Sequence, residues 1–383
     1  MSRYRWAVLG AGTFAQTSYS AIWYGIAVLA PALRREYGLS LAQTGALISM
    51  SLLGSIATLL LWGLATDRVG ERLVLFLGLA GCGAALIGAG FAHGFEELAV
   101  LLFVAGGAGA SVQSASGRAV MHWFPAAERG LALAVRQTAI PISGFIVAIV
   151  LPLIERAGGL RWSFAAMGFA CLAGAVVGAA VLREGPRHDA PAGSGASTPL
   201  RDRRLWTLSI GAALVIAAQL CVVGFTVVFL HDHRHLSTRT SAAVLAIMQL
   251  FAIGGRLAAG RWSDVVGSRL RPFRLIVAVT AVLVALIGLL SGAPLGLLLP
   301  VLVAGGVLAM SWNSLAFAAA VELAGHQRSG VAIGFQQTVL NGFGAVYPVL
   351  FGLLVSATSW GVAFLVLALF PLAGWRVLRP LPG

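Results

Sequence analysis

The chain contains no lysine and few acids: all 26 of its basic residues are arginine, against 13 Asp and Glu, and charged residues make up only 10% of the 383 positions. A soluble globular domain carries roughly 25% charge, so this scarcity excludes an ordinary water-soluble fold. Cysteine is equally sparse, and Cys82, Cys171 and Cys221 all sit in apolar runs. Three small buried hydrophobes supply neither a disulfide framework nor a metal site. No nucleophile-base pair or metal-ligand cluster is spaced for chemistry in a pocket, so enzyme activity, a bound metal and a cofactor are not expected. What dominates instead is hydrophobicity, at 59% of residues with a mean hydropathy of +0.91. The bilayer is the solvent this composition suits.

Apolar spans of about 20 residues, each able to cross a ~30 Å core, run at roughly 6–32, 41–65, 73–92, 97–121, 130–154, 162–182, 205–230, 240–262, 273–292, 295–320, 330–354 and 359–376. The expected fold class is therefore an all-α integral membrane protein with twelve transmembrane helices and both termini on one side. Cytoplasmic loops retain positive charge during insertion, and the N-terminus, even-numbered loops and C-terminus hold about 17 of the arginines against about 6 in the odd-numbered loops. Both ends are accordingly expected in the cytoplasm of a multi-pass cell-membrane protein, in a bacterial inner membrane. The net charge of +13 then has a topological origin, and its dispersal over many loops speaks against nucleic-acid binding. The first apolar run is too long for a signal-peptide core and is read as an uncleaved span. Gly10-Ala11-Gly12 mimics a dinucleotide fingerprint but lacks the soluble βαβ surroundings that fingerprint needs.

A signature occurs twice. Trp62-Gly63-Leu64-Ala65-Thr66-Asp67-Arg68-Val69-Gly70-Glu71-Arg72 lies between two spans, and Ala259-Gly260-Arg261-Trp262-Ser263-Asp264-Val265-Val266-Gly267-Ser268-Arg269 lies between two others. A second pair aligns without a gap: Arg129-Gly130-Leu131-Ala132-Leu133-Ala134-Val135-Arg136-Gln137-Thr138 against Ser329-Gly330-Val331-Ala332-Ile333-Gly334-Phe335-Gln336-Gln337-Thr338. Small, polar linker chemistry over 183–204, including Ala192-Gly193-Ser194-Gly195, separates an N-terminal bundle (1–182) from a C-terminal one (205–383). Duplicated halves of this kind are a transporter architecture.

With these blocks the whole chain resembles the major facilitator superfamily, which pairs two six-helix bundles and carries a G-x-x-x-D-R-x-G-x-[KR] loop. Gly63, Asp67, Arg68, Gly70 and Arg72 match that loop directly. The second copy, with Gly260, Asp264, Gly267 and Arg269, departs by placing Val265 where the family often has a basic residue. The resemblance implies a major facilitator fold of two pseudo-symmetric bundles. It also implies a conformational latch of Gly63, Asp67, Arg68, Gly70, Arg72 and Asp264 that ties cytoplasmic helix ends together; solvated topogenic charges are the alternative reading.

Charges within spans are expensive and mark function by default. Three qualify: Arg118, Arg136 and Arg256, and no acid lies comparably deep. Arg256 precedes Asp264 by eight positions, about 12 Å inside the cytoplasmic end. The pattern Arg256-x-x-x-Gly260-x-x-x-Asp264 is similar to span eight of monocarboxylate transporters and oxalate:formate antiporters, where the resemblance assigns the arginine to a substrate carboxylate, a match of fork to fork. Ala252 replaces the acid of the proton-linked branch. Arg136 is expected beside it in the substrate site, while Arg118 either joins them or snorkels to the interface. Gln16 and Tyr24, on a polar stripe with Thr13, Thr17 and Ser20, are expected to line the cavity, as are Trp312, Asn313, Gln336 and Asn341; helix packing is the competing role for several of these. His231, His233 and His235 read as a solvated outer loop, and Glu322 as an ion-pair partner of loop arginines.

Deep arginines without deep acids make an electropositive cavity. The function expected is secondary active or facilitative transport of a small organic anion, in particular a carboxylate, by alternating access, as a monomer with the bilayer as its other partner. A proton-coupled exporter of drugs or other amphiphiles is the alternative, although Leu102 and Phe103 stand where that branch carries an arginine and Ala139-Ile140-Pro141-Ile142-Ser143-Gly144 only partly resembles its Gly-Pro motif. A membrane sensor with the same duplicated fold is a third reading that no loop favours.

Overall fold

The structure is a computed structural model that describes residues 4–124, 132, 135–183, 202–324 and 329–381. The side chains of Asp67 and Arg118, and residues 184–201 of the expected linker, lie outside the described residues. Every regular element described is a helix: α1 (Tyr4–Tyr37), α2 (Leu41–Val69), α3 (Glu71–Ala89), α4 (Phe95–Gly109), α5 (Ser111–Trp123), α6 (Ala139–Val181), α7 (Arg203–Val228), α8 (Thr238–Val266), α9 (Leu270–Leu289), α10 (Leu295–Ser311), α11 (Asn313–Ala324), α12 (Ser329–Gly344), α13 (Tyr347–Ala357) and α14 (Trp360–Leu378).

Local sequence explains several starts. Ser40 and Gln43 close a capping box at α2, the Ser40 Oγ accepting from the Gln43 N–H at 3.1 Å while the Gln43 Oε1 accepts from the Ser40 N–H at 2.9 Å. Asp202, Ser237 and Ser359 cap α7, α8 and α14 through their side-chain oxygens. Ten helical segments among the described residues are long and apolar enough to cross a membrane. One of them, Val135–Val181, runs for 47 residues, about 70 Å at 1.5 Å per residue and twice what one crossing needs. Where the sequence suggests a loop at 155–161, the chain stays helical and breaks at Gly159, whose φ of 71° only glycine adopts freely. Other apolar runs are also interrupted, between α4 and α5, at Trp312 between α10 and α11, and between α12 and α13. The first helix is absent from the ten; Thr13, Gln16, Thr17, Ser18 and Ser20 lower its apolar content.

The chain divides into two compact units, residues 1–38 with 50–194 and residues 39–49 with 195–383. In the first, α1 and α3 pack along α6. The crossing of α2 and α4 there depends on glycine: a Cβ on Gly54 would strike the Phe103 carbonyl and one on Gly106 the Ser51 carbonyl. Close backbones let side chains bridge the helices, as membrane interfaces built on small residues do. The Thr58 hydroxyl and the Trp62 indole N–H each donate to the Gly107 carbonyl at 2.7 Å, and Tyr19, Ser55 and the Gly106 carbonyl form a buried cluster. In the second unit α14 packs on α7 and α9, α10 on α8 and α9, and α12 on α7. Large apolar side chains such as Phe169, Val176, Phe251 and Leu289 point outward, the arrangement that lipid rather than water rewards.

Candidate functional site

Arg136 precedes α6 by three residues and is buried, with 6% of its surface accessible. Three side chains from two helices, α1 and α5, hold it: its Nε donates to Ser116 Oγ at 2.8 Å, and its Nη2 donates to Gln16 Oε1 and Gln113 Oε1, both at 3.0 Å. Gln16 on α1 is itself oriented, its Nε2 donating to Ser20 Oγ at 3.3 Å. All these acceptors are neutral, and among the described residues no carboxylate pairs with Arg136. Among the described residues its positive charge is therefore hydrogen-bonded but not neutralised, and no hydrogen bond is made by Nη1. An unneutralised guanidinium in a low-dielectric interior is an anion-binding element. The sequence reading placed Gln16 and Arg136 in the site and missed Gln113 and Ser116; their i, i+3 spacing on one span, α5, was the available signal.

The second unit holds Arg256 on α8, 8% accessible, with its Nε donating to the Met310 carbonyl at 2.9 Å near the C-terminus of α10. Asn313 begins α11 three residues later, and its buried Oδ1 has no hydrogen-bond partner among the described residues. Two turns before Arg256, Gln249 is fully buried with neither amide atom bonded among the described residues. Gln336 on α12, the repeat counterpart of Arg136, is in the same condition. Other expected members are engaged in packing. Trp312 is fully buried, stacked on Phe273 at 5.8 Å between ring centroids, with its indole N–H donating to the Ala309 carbonyl at 2.7 Å. The Asn341 Oδ1 accepts from Gln337 Nε2 at 3.0 Å, and Tyr24 is buried in α1. An apolar groove of about 570 Å³ opens among Trp206, Ile210, Phe343 and Tyr347; its lining contains neither arginine nor the orphaned amides.

The two signature loops share a backbone requirement. Gly70 has φ 87° ahead of α3, and Gly267 has φ 65° as the left-handed cap of α8, conformations that a Cβ disfavours. Arg68 and Arg72 are exposed. In the second copy Arg269 pairs with Asp264, donates from Nε to Glu322 Oε1 at 3.0 Å and reaches Ser263 Oγ. The Asp264 carboxylate, and then that of Glu322, hold the Arg269 guanidinium above its ordinary pKa. Glu322 thus takes the loop-arginine partner expected of it. The three histidines do not converge: His231 pairs with Asp232 at 2.6 Å, His233 stacks on Phe229, and His235 has a positive φ of 56°. Among the described residues no group of three His, Cys, Asp or Glu is placed to hold a metal ion.

Long apolar helices in two units, each with a buried arginine, define a polytopic membrane carrier rather than a soluble catalyst. Residues 12–346 match the family model of the Major Facilitator Superfamily. Among similar proteins, an MFS-type transporter of Mycobacterium tuberculosis (strain CDC 1551 / Oshkosh) is 36% identical over 375 residues, 96% of this chain and 83% of the relative. A probable sulfoacetate transporter of Cupriavidus necator is 28% identical, over 89% of this chain and 85% of its own. A hexuronate transporter of Bacillus subtilis is 26% identical, over 94% and 91% respectively. In three dimensions the chain resembles the xylose transporter of E. coli, with a TM-score of 0.83 at 15% identity over 99% of this chain and all of that one; this likeness concerns the fold alone. The chain belongs to the Major Facilitator Superfamily. It is a multi-pass membrane transporter, not an enzyme.

Proposed function

We propose that this transporter carries a small organic anion, in particular a carboxylate, by alternating access, with Arg136 and Arg256 as the cationic contacts and Gln16, Asn313 and Gln336 as polar ones. The observation that carries the reading is the Arg136 guanidinium, buried and bound, among the described residues, by the neutral oxygens of Ser116, Gln16 and Gln113 and the Val112 carbonyl. A charge kept in the membrane interior without a counter-ion costs free energy that an anionic ligand recovers. The relatives named for sulfoacetate and for hexuronate support the same class of solute. Trp312 drops out of the contact set, because packing already uses its ring and its N–H.

The proposal includes twelve crossings in two six-helix bundles, 1–182 and 205–383, joined by the linker 183–204, with both termini in the cytoplasm of a bacterial inner membrane and a monomeric unit. Gly63, Asp67, Arg68, Gly70, Arg72 and Asp264 act as the latch. The test is thermal stabilisation of the detergent-solubilised protein by a panel of small carboxylates, inorganic anions and cationic amphiphiles, since a ligand of the folded state raises its apparent stability. Stabilisation by a carboxylate that disappears in Arg256→Ala and Arg136→Met supports the reading. Response to cationic or neutral amphiphiles alone overturns it in favour of a proton-coupled exporter.

A further inference from the structure

Within the second unit, the buried face of α8 carries two polar side chains seven residues apart, Gln249 and Arg256. Seven residues return a helix to nearly the same angular position about 10 Å further along its axis. The Arg256 end of this face meets the junction of α10 and α11: its Nε bonds the Met310 carbonyl, and a Cβ on the neighbouring Gly255 would touch the Ser311 side chain. Asn313 follows two residues after Ser311. One amide thus stands two turns from Arg256 on the same helix face and another three residues beyond its Met310 contact, and their buried oxygens, Gln249 Oε1 and Asn313 Oδ1, have no donor among the described residues; Gln249 Nε2 has no acceptor either.

Buried polar atoms are nearly always hydrogen-bonded, and exceptions point to strain, function or a bound species. The chemistry of the exceptions is selective. An ionised carboxylate, sulfonate or nitrate has only acceptors, so the anion that suits Arg256 leaves both amide oxygens unmatched. Those oxygens need donors, and a cationic donor beside Arg256 is disfavoured by like-charge repulsion. A hydroxyl donates and accepts at once, and so serves both atoms of the Gln249 amide. The axial offset of about 10 Å between Gln249 and Arg256 suits an acid with a hydroxylated chain rather than a compact inorganic ion.

Building on the anion reading above, we propose that Gln249 and Asn313 bind hydroxyl groups of the anion whose carboxylate Arg256 holds, which makes the substrate a hydroxylated carboxylate. Gln249 and Asn313 set specificity for the chain, while Arg256 sets it for the charge.

The experiment measures binding to the full-length purified protein of carboxylates matched in length with and without hydroxyls, gluconate against hexanoate and glycerate against propionate, with sorbitol supplying hydroxyls alone. A site built on buried amides rejects an analogue that cannot bond them, so the hydroxylated member of at least one pair is expected to bind ~100-fold or more tighter. Gln249→Leu and Gln249→Met are expected to lower that ratio at least ~10-fold without weakening the plain acid, a split that a merely structural role for Gln249 does not produce. Equal binding within ~3-fold of both members of each pair, or a ratio unchanged in both variants, overturns this proposal and leaves the anion reading standing. Sorbitol binding that equals gluconate binding and survives Arg256→Ala overturns both.

Discussion

Replacing Arg136 with methionine separates ligand binding from folding, because the two effects have different sizes. In the unliganded protein the substitution removes a buried positive charge that no carboxylate among the described residues compensates, a burden of several kcal/mol. It also strips the donor from Gln16 Oε1 and Gln113 Oε1, at about 1–3 kcal/mol each, while Ser116 keeps its bond to the Val112 carbonyl. These terms oppose one another and are of similar size, so the melting temperature is expected to shift by only a few degrees. Binding has no such offset. A guanidinium and a carboxylate ~4 Å apart at an effective dielectric constant of ~20 attract by about 4 kcal/mol, which corresponds to a ~1,000-fold weaker Kd once the guanidinium is gone. Titration calorimetry with the carboxylate that best stabilises the wild type, alongside uptake into proteoliposomes, reads the effect directly, and Arg136→Lys should recover part of it as a point charge without the fork. An Arg136→Met protein that melts normally and binds within ~10-fold of wild type refutes the assignment. One that loses more than ~10 °C of thermal stability shows instead that the guanidinium is a structural cross-link between α1 and α5.

Gln249→Leu should raise the melting temperature of the unliganded protein, since it removes an orphaned buried amide worth about 1–3 kcal/mol of destabilisation; a lower melting temperature in a thermal scan would mean the amide is already satisfied. Gly106→Val should abolish folding or cost ~3 kcal/mol or more, because its Cβ meets the Ser51 backbone rather than a movable side chain; normal expression and a normal melting curve would contradict the helix crossing. Arg269→Gln should change stability by less than ~1 kcal/mol, given how exposed its partners Asp264 and Glu322 are, yet alter the transport rate more than the substrate affinity if the loop is a latch. Gly70→Ala is expected to cost about 1–3 kcal/mol at its φ of 87°, and an unchanged melting temperature would show that the turn relaxes to another conformation.

Fold and family were legible because they are written in composition and repetition, which need no knowledge of packing: apolar runs of membrane length, two Asp-x-x-Gly turns and an aligned pair of blocks. The turns show why repetition is informative. Gly70 and Gly267 recur because both loops require a positive φ, a property of single residues. Site membership is different, because a polar residue in a span declares that it is expensive without declaring who satisfies it. Trp312 and Gln249 illustrate this in both directions. For Trp312 the sequence left a cavity wall and helix packing both open; its N–H closes a local bond to the Ala309 carbonyl and its ring stacks on Phe273, partners that depend on the three-dimensional break between α10 and α11. Gln249 was overlooked as one glutamine among several, although its seven-residue spacing from Arg256 was in plain view. Arg136 and Gln336 carry the point furthest. They occupy matching positions of the duplicated block, yet among the described residues one is bound by three side-chain oxygens and the other has both amide atoms unbonded. The difference lies in what α1 and α5 bring to Arg136: the two glutamine oxygens and the serine hydroxyl that surround it come from segments distant in sequence. A repeat fixes where side chains stand in each unit, whereas the partners contributed by other helices decide whether that position is structural or is left for a ligand.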